Sequence, residues 1–255
     1  MSETAPSELP PDVGDTRAAF LLKAGVGGAA LLGGGAILGA PGKAFAGHTD
    51  AIPDVDILNY ALTLEYLEAT FYTQALGGGG TTGVPSSSAR FNRGAITGDK
   101  KFKGAKHKKF KGAKQFKRSD AYDLLSVIRN HEVTHVDFLR GALGAAAVGP
   151  CKFTFSTALR NVSSFLETAQ VLENTGVMAY DGGIRYVDGG NNLQAGAQIA
   201  TVEARHAAYL NLINGDSPFP SAFDQGKLPS EIFAAASPFI VSCPTEVTAL
   251  FGRLP

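Results

Sequence analysis

The sequence contains little cysteine. Cys151 and Cys243 are the only two among 255 residues, and neither belongs to a Cys-x-x-Cys pair. Rubredoxin-type iron sites and cysteine-rich structural zinc sites need more thiolates than this, so the cysteine count excludes both.

Long apolar runs are also missing beyond the first 40 residues. No uninterrupted stretch of about 18 apolar residues occurs there, so a polytopic membrane protein is excluded and the mature part is expected to be soluble. With 44% hydrophobic and 18% charged residues, the composition is neither low-complexity nor collagen-like. The length favours one globular domain.

The first 46 residues are predicted to be an export signal. Phe20–Ala40 is a mildly apolar run diluted by glycine, and Ala44 and Ala46 are the small residues expected before a signal-peptidase cut. Residues 16–21 resemble a twin-arginine leader whose second arginine is replaced by alanine. Cleavage would release the protein into the periplasm, cell envelope or extracellular space. A retained leader is long enough to anchor the protein to a membrane.

An isolated pair of cysteines in an exported chain is expected to form a disulfide. Cys151 and Cys243 would close a loop of about 90 residues, which stabilises a fold by about 4 to 5 kcal/mol in the chain-entropy model. The sequence therefore predicts that this bond joins two distant parts of the chain.

Four segments have apolar residues at helical spacing and predict an all-α protein. They are residues 54–76, Ser119 to before Gly149, Ser156 or Thr157 to Gly183, and about 192–213. Four helices of this length predict an antiparallel four-helix bundle within residues 47–215. A long basic insert, residues 77–118, separates the first two helices. The proline-rich extension, residues 216–255, is expected to form short helices near Glu231 and Glu246 and to pack on the bundle.

Each predicted helix carries an acid on its apolar stripe, where an isolated charge would cost several kcal/mol. In chain order, these polar residues are Glu65, Glu132 with His135, Glu173, and Glu203 with His206. Residues i and i+3 share a helix face, so each Glu-x-x-His presents an oxygen and a nitrogen ligand together. Four carboxylates and two imidazoles suit two divalent iron or manganese ions, and the ligand set does not distinguish these metals.

The two predicted helical hairpins repeat one pattern. Tyr72 follows Glu65 by seven residues, and Tyr180 follows Glu173 by seven. Both tyrosines are expected to lie in the core or to donate hydrogen bonds to the ligands. The repeat strengthens the case that the two hairpins contribute equivalent halves of one site.

Three further polar residues have less certain places beside this pattern. Glu68 is predicted to be solvated or salt-bridged, with the alternative of a spare ligand or a hydrogen-bond partner of one. Glu167 is predicted to lie on a solvated face. His131 is expected to point about 100° away from Glu132, with a supporting role beside the ligands as the alternative.

Two segments of the sequence resemble the ferritin-like superfamily of di-metal carboxylate bundles. These segments, Leu64–Tyr72 and Val171–Tyr180, look like the exported ferritin-like family that includes plant desiccation-related proteins. The resemblance implies a set of metal ligands consisting of Glu65, Glu132, His135, Glu173, Glu203 and His206. It also implies that Glu132 and Glu203 bridge the two ions.

The basic insert carries most of the chain's positive charge. From Arg90 to Arg118 there are 12 Lys or Arg residues and one acid, Asp99, and the motif Lys-Phe-Lys-Gly-Ala-Lys occurs twice. Three interpretations stay open: a solvated loop, a contact with the acidic body of another copy in a homo-oligomer, or polyanion binding through Lys100 to Arg118.

The function expected first is an exported oxidoreductase in which a di-manganese or di-iron centre reacts with hydrogen peroxide or dioxygen. Catalase-like or ferroxidase-like chemistry would use the four ligand glutamates, with Tyr72 and Tyr180 beside them. The alternative is a non-catalytic bundle, protective under stress or desiccation, whose basic loop is its interaction surface. Iron storage in a protein shell is disfavoured because the insert and the long extension would hinder tight packing.

Overall fold

The computed structural model describes residues 52–99, 120–188 and 190–255 of the chain. The predicted export signal, the possible membrane anchor and the lysine-rich repeat at 100–118 lie outside the described residues. None of the described helices is both long enough and apolar enough to cross a lipid bilayer.

Four long helices dominate the described residues, together with three short helices and one small sheet. The helices in chain order are α1 (Asp54–Leu76), α2 (Arg93–Gly98), α3 (Ala121–Leu143), α4 (Val162–Gly183), α5 (Gly190–Asn214), α6 (Pro229–Ala236) and α7 (Thr245–Phe251). The strands are β1 (Lys152–Phe153) and β2 (Ile240–Ser242), which pair antiparallel. The all-α prediction is confirmed, and the sheet is an addition that the sequence pattern did not indicate.

The predicted start of the third long helix is wrong, and local capping explains where two of the helices begin or end. α4 begins at Val162 rather than near Ser156, because the side chain of Asn161 accepts a hydrogen bond from the backbone N–H of Ser164 at 2.9 Å. α3 ends at Leu143, well before Gly149, because Gly144 takes a positive φ of 54° that ends the helix.

The bundle consists of two helical hairpins that pack face to face. α1 lies along α3, and α4 lies along α5. Aromatic side chains fill one end of the contact between the hairpins, where Phe71 packs against Tyr72, Phe155 and Phe165. The four helix faces that carry the predicted ligands all face the interior between the two hairpins.

The C-terminal extension lies against α1. α7 reaches this helix, where the guanidinium of Arg253 donates two hydrogen bonds of 2.7 Å to Asp56, and Phe251 packs edge-on against Tyr60. This cover, added to α3 and α4, leaves almost every side chain of α1 buried. Most polar residues of α1, Glu65 and Glu68 among them, are therefore removed from water.

A disulfide joins Cys151 and Cys243 beside the small sheet. Lys152 and Phe153 of β1 pair with Ser242 and Ile240 of β2. The bond and the sheet together connect the α3–α4 loop to the extension, which holds the extension against the bundle.

Candidate metal centre

The interior of the bundle contains the six residues predicted as metal ligands. Glu65 comes from α1, Glu132 and His135 from α3, Glu173 from α4, and Glu203 and His206 from α5. The four carboxylates are fully buried, and the two imidazoles are 9% and 4% exposed. Nothing in a dry interior solvates four acids, so their neighbours must do so.

The six side chains form two overlapping groups of potential ligand atoms. One group is Glu65, Glu132, His135 and Glu203, and the other is Glu132, Glu173, Glu203 and His206; within each group the atoms lie within 4.8 Å of one another. Glu132 and Glu203 belong to both groups. They are the two residues for which the family resemblance implies a bridging position.

Both histidines turn Nδ1 toward the carboxylates. His135 Nδ1 lies 3.2 Å from Glu65 Oε2 and 3.3 Å from Glu132 Oε2. His206 Nδ1 lies 3.0 Å from both Glu173 Oε2 and Glu132 Oε1. Each histidine thus faces one carboxylate of its own group and one shared carboxylate, so the two halves of the site have the same layout.

Two tyrosines hold the unshared carboxylates from behind. Tyr72 of α1 donates a 2.6 Å hydrogen bond to Glu173 Oε1, and Tyr180 of α4 donates a 2.5 Å hydrogen bond to Glu65 Oε1. Each tyrosine therefore crosses to the other hairpin. Burial, followed by the charge of the carboxylate it contacts, raises the pKa of each phenol well above 10, so both stay protonated donors.

The shared carboxylates have no comparable support. Among the described residues, no well-aligned donor reaches either oxygen of Glu132 or Glu203, because the Nδ1 atoms that lie 3.0 and 3.3 Å from Glu132 are aligned with Glu173 and Glu65 instead. Buried oxygens without donors are costly unless something positively charged lies among them. Two divalent cations would supply that charge, so this donor set fits the predicted metal pair.

In the metal-free site, burial and neighbouring carboxylates change the pKa values of the candidate ligands. Burial and the charge of Glu173 raise the pKa of Glu132, and burial with the charges of Glu132 and Glu173 raises that of Glu203 well above its usual range. Glu65 differs: burial would raise its pKa, but the charge and hydrogen bond of His135 outweigh this and lower it. The shared carboxylates are therefore the ones that most need a cation.

The same carboxylates favour the charged form of the two histidines. Burial alone would lower the pKa of His135, but the carboxylates of Glu65 and Glu132 outweigh it and raise the pKa to about 11. For His206, Glu173 and Glu132 do the same and raise the pKa to about 10. Without metal, the two imidazoles thus act as protonated counter-ions for the acids.

Glu68 is buried beside the centre, so the prediction that it is solvated or salt-bridged is wrong. It is 4% exposed, and burial, followed by the charges of Glu173, Glu132 and Glu65, raises its pKa well above the usual range. Helical periodicity missed it because α1 is covered on all sides. The available signal was composition, since α1 contains no Lys or Arg.

His131 contacts a candidate ligand, whereas Glu167 does not. Glu167 is exposed, as predicted, and accepts a hydrogen bond from Ser163. His131 is exposed too, but its Nδ1 lies 2.9 Å from Nε2 of His206. The alternative reading of His131, a role beside the ligands, is therefore the one that the structure favours.

Gly176 makes room for the centre, and replacing it by alanine is expected to weaken metal binding. A Cβ atom there would lie 2.7 Å from Glu203 Oε2 and 3.3 Å from Glu68 Oε1. In the interior of α4, alanine by itself would stabilise the helix by about 1 kcal/mol relative to glycine. We expect Gly176→Ala to displace the Glu203 carboxylate and to lower metal content, measured per chain by elemental mass spectrometry.

Gly141 provides the matched control for this substitution. It lies in α3, is exposed, and a Cβ atom there would meet nothing within 4 Å. Gly141→Ala should gain the helical stabilisation and keep the metal. Equal metal content in both variants would show that the space at Gly176 does not matter to the site.

Comparison with known proteins agrees with this architecture. The profile of the ferritin-like domain family matches residues 53–216, which include all four long helices in full and all six candidate ligands. Protein rds1 of Schizosaccharomyces pombe is 28% identical over 123 residues, which is 48% of this chain and 30% of that protein. The chain thus matches less than a third of this relative's length. On the family match, this chain belongs to the ferritin-like domain family.

Proposed function

We propose that this protein is a di-metal oxidoreductase that acts on hydrogen peroxide or dioxygen. Two iron or manganese ions would be held by Glu65 with His135 on one side and by Glu173 with His206 on the other, with Glu132 and Glu203 available to both. Such a pair can exchange two electrons with an oxidant, one from each ion. In the catalase-like case, one peroxide is reduced to water while a second is oxidised to dioxygen, so electrons balance without another reductant.

One observation carries the proposal: Glu132 and Glu203 are shared by both ligand groups, and no described residue donates a well-aligned hydrogen bond to their buried oxygens. A purely structural core would not keep four mutually repelling carboxylates in one dry space, because apolar residues of equal volume would be more stable there. The cost is explained if the carboxylates serve a cation pair.

Two tyrosines position the candidate ligands. Tyr72 and Tyr180 fix the orientation of Glu173 and Glu65 through their hydrogen bonds. Because these phenols keep their protons, each one stabilises a carboxylate without neutralising it. The two halves of the site are thereby held at the same spacing before a metal arrives, which favours binding by pre-organisation.

The size of the neighbouring cavities supports a small oxidant as substrate. A cavity of about 20 Å³ borders Glu68 and Gly176, and one of about 30 Å³ borders Tyr180. Spaces of this size hold about one water molecule each. The two small cavities touch residues beside the ligands, and neither they nor a larger surface groove of about 590 Å³, lined by Phe155, Arg160 and Glu167 among others, include any of the six candidate ligands.

We further propose that the protein works in an oxidising compartment. The disulfide Cys151–Cys243 supports this location, because such bonds persist outside the reducing cytosol. A stress or desiccation role and polyanion binding through Lys100 to Arg118 remain part of the proposal on the strength of the sequence alone.

The proposed activity is tested on the purified protein loaded with Mn²⁺ or Fe²⁺. We expect dioxygen release from hydrogen peroxide with manganese, or peroxide- or dioxygen-dependent oxidation of Fe²⁺ with iron, at rates proportional to bound metal. Chelation should abolish the activity while circular dichroism shows that the helices persist. A protein that binds metal, keeps its fold and reacts no faster than the free ion would be the non-catalytic bundle instead.

A further inference from the structure

His131 breaks the symmetry between the two halves of the centre. It precedes Glu132 on α3, yet its ring lies beside that of His206 from α5, with centroids 5.1 Å apart and planes 18° from parallel. Its Nδ1 lies 2.9 Å from His206 Nε2. The contact joins two helices that belong to different hairpins.

His131 contacts Nε2 of His206, the ring nitrogen that a metal bound through Nδ1 would leave free. His206 turns Nδ1 to the carboxylates, at 3.0 Å from both Glu132 and Glu173. An imidazole that binds a metal through Nδ1 carries its proton on Nε2, and an acceptor for that proton fixes the tautomer and the ring orientation. Nδ1 of His131 is in place to accept it.

No described residue provides such an acceptor in the other half of the centre. His135 also turns Nδ1 to the carboxylates, but no described residue hydrogen-bonds to its Nε2. The position equivalent to His131, one residue before Glu203, is Val202, which is apolar. Otherwise the halves match in their Glu, Tyr and Glu-x-x-His residues.

We infer that His131 is a positioning residue for His206 and makes the two metal positions unequal, so that the position at His206 binds a divalent cation more tightly than the position at His135. This inference rests on the proposed di-metal centre and adds an order of filling to it. An acceptor that orients a metal-binding histidine typically changes metal affinity 10- to 100-fold, which sets the expected difference between the two positions at about that size.

The test titrates the metal-free protein with Mn²⁺ alone and follows the free ion by its electron paramagnetic resonance signal. The wild-type protein should bind two ions with affinities that differ about 10- to 100-fold. His131→Leu should weaken the tighter step by about that factor and leave the total unchanged. His131→Asn should restore most of the affinity, because its side-chain oxygen can take the place of Nδ1.

Val202→His provides a mirror-image variant. It places an imidazole one residue before Glu203, as His131 stands before Glu132. We expect it to tighten the weaker step and to leave the stronger step unchanged. This variant and His131→Asn keep the test decisive if His131→Leu does not fold, which circular dichroism would reveal.

Several outcomes overturn the inference. Two equal affinities in the wild-type protein would do so, as would a His131→Leu variant with both affinities unchanged, and in either case the di-metal centre would stand. Equal weakening of both steps would indicate a general packing role for His131 and would also overturn it. A wild-type protein that binds no Mn²⁺ or Fe²⁺ would overturn the inference and the proposed function together.

Discussion

Replacing Glu132 and Glu203 together by glutamine should reduce bound metal from about two ions per chain to none. Each residue belongs to both ligand groups, so the double variant leaves only Glu65 with His135, and Glu173 with His206. Two ligands of mixed type do not hold a divalent ion against water. Peroxide- and dioxygen-dependent activity should disappear with the metal.

The fold of this double variant should survive. Glutamine keeps the volume of each side chain. It also removes two carboxyl groups whose pKa values are raised by burial, so no costly buried charge is left at these two positions in the metal-free site. What the variant should lose is the stabilisation by metal, which amounts to about 4 kcal/mol per ion when free metal is 1,000-fold above its dissociation constant. Thermal unfolding with and without chelator measures this: the midpoint should move in the wild-type protein and stay constant in the variant.

A matched control uses two exposed acids. Glu167→Gln with Glu246→Gln changes the net charge equally but lies on the surface, away from the centre. Elemental mass spectrometry should find the wild-type metal content in this control. If the double variant at Glu132 and Glu203 kept two ions, the metal would have to be bound elsewhere in the chain.

The sequence predicted the fold and the ligand groups because the relevant signals are local. The pattern of Glu65, Glu132 with His135, Glu173 and Glu203 with His206 depends only on spacing within helices and on the rule that acids avoid apolar stripes. Once a bundle is assumed, inward-facing residues must converge, and the structure brings these six together.

Features that depend on contacts between distant segments were not predictable in the same way. Glu68 is buried because α4 and α6 cover a side of α1 that helical periodicity alone would assign to solvent, with Gly176 and Ala236 beside it. The contact of His131 with His206 requires the packing of α3 against α5, which no local spacing determines. Strand β2 pairs with β1 beside the disulfide Cys151–Cys243, so it depends on two segments that are far apart in the sequence.

The metal-free and metal-loaded forms should depend on pH in opposite directions. In the metal-free protein, His135 and His206 have pKa values raised from 6.5 to about 11 and about 10. A group with a raised pKa binds more protons in the folded than in the unfolded state above the unfolded pKa. Its contribution is thus fully present below about pH 6.5 and is lost as pH rises through 10 to 11.

The buried acids with raised pKa values also lower the stability of the metal-free protein as pH rises, starting from a lower pH. The raised pKa values of Glu132, Glu203 and Glu68 make ionisation costly in the folded state, so their stabilising effect is lost as pH rises above 4.5. Glu65 is the exception: because its pKa is lowered, its stabilising effect is lost only as pH falls below 4.5. Above pH 6.5, the metal-free protein should therefore lose up to about 1.4 kcal/mol per pH unit for each extra proton that the folded state holds.

Bound metal reverses the direction in which stability changes with pH, because its ligands must be deprotonated. Binding releases the protons of His135 and His206 and those of the carboxylates, so the affinity, and with it the stability of the loaded protein, rises with pH. Urea unfolding at pH 6, 7, 8 and 9, with chelator or with excess Mn²⁺, should give free energies of unfolding that diverge as pH rises. His135→Gln with His206→Gln, measured without metal, should show a flatter dependence than the wild-type protein. A metal-free wild-type protein that gains stability from pH 7 to 9 would contradict the proton-holding arrangement of the site, because the carboxylates would then not be keeping the two imidazoles charged.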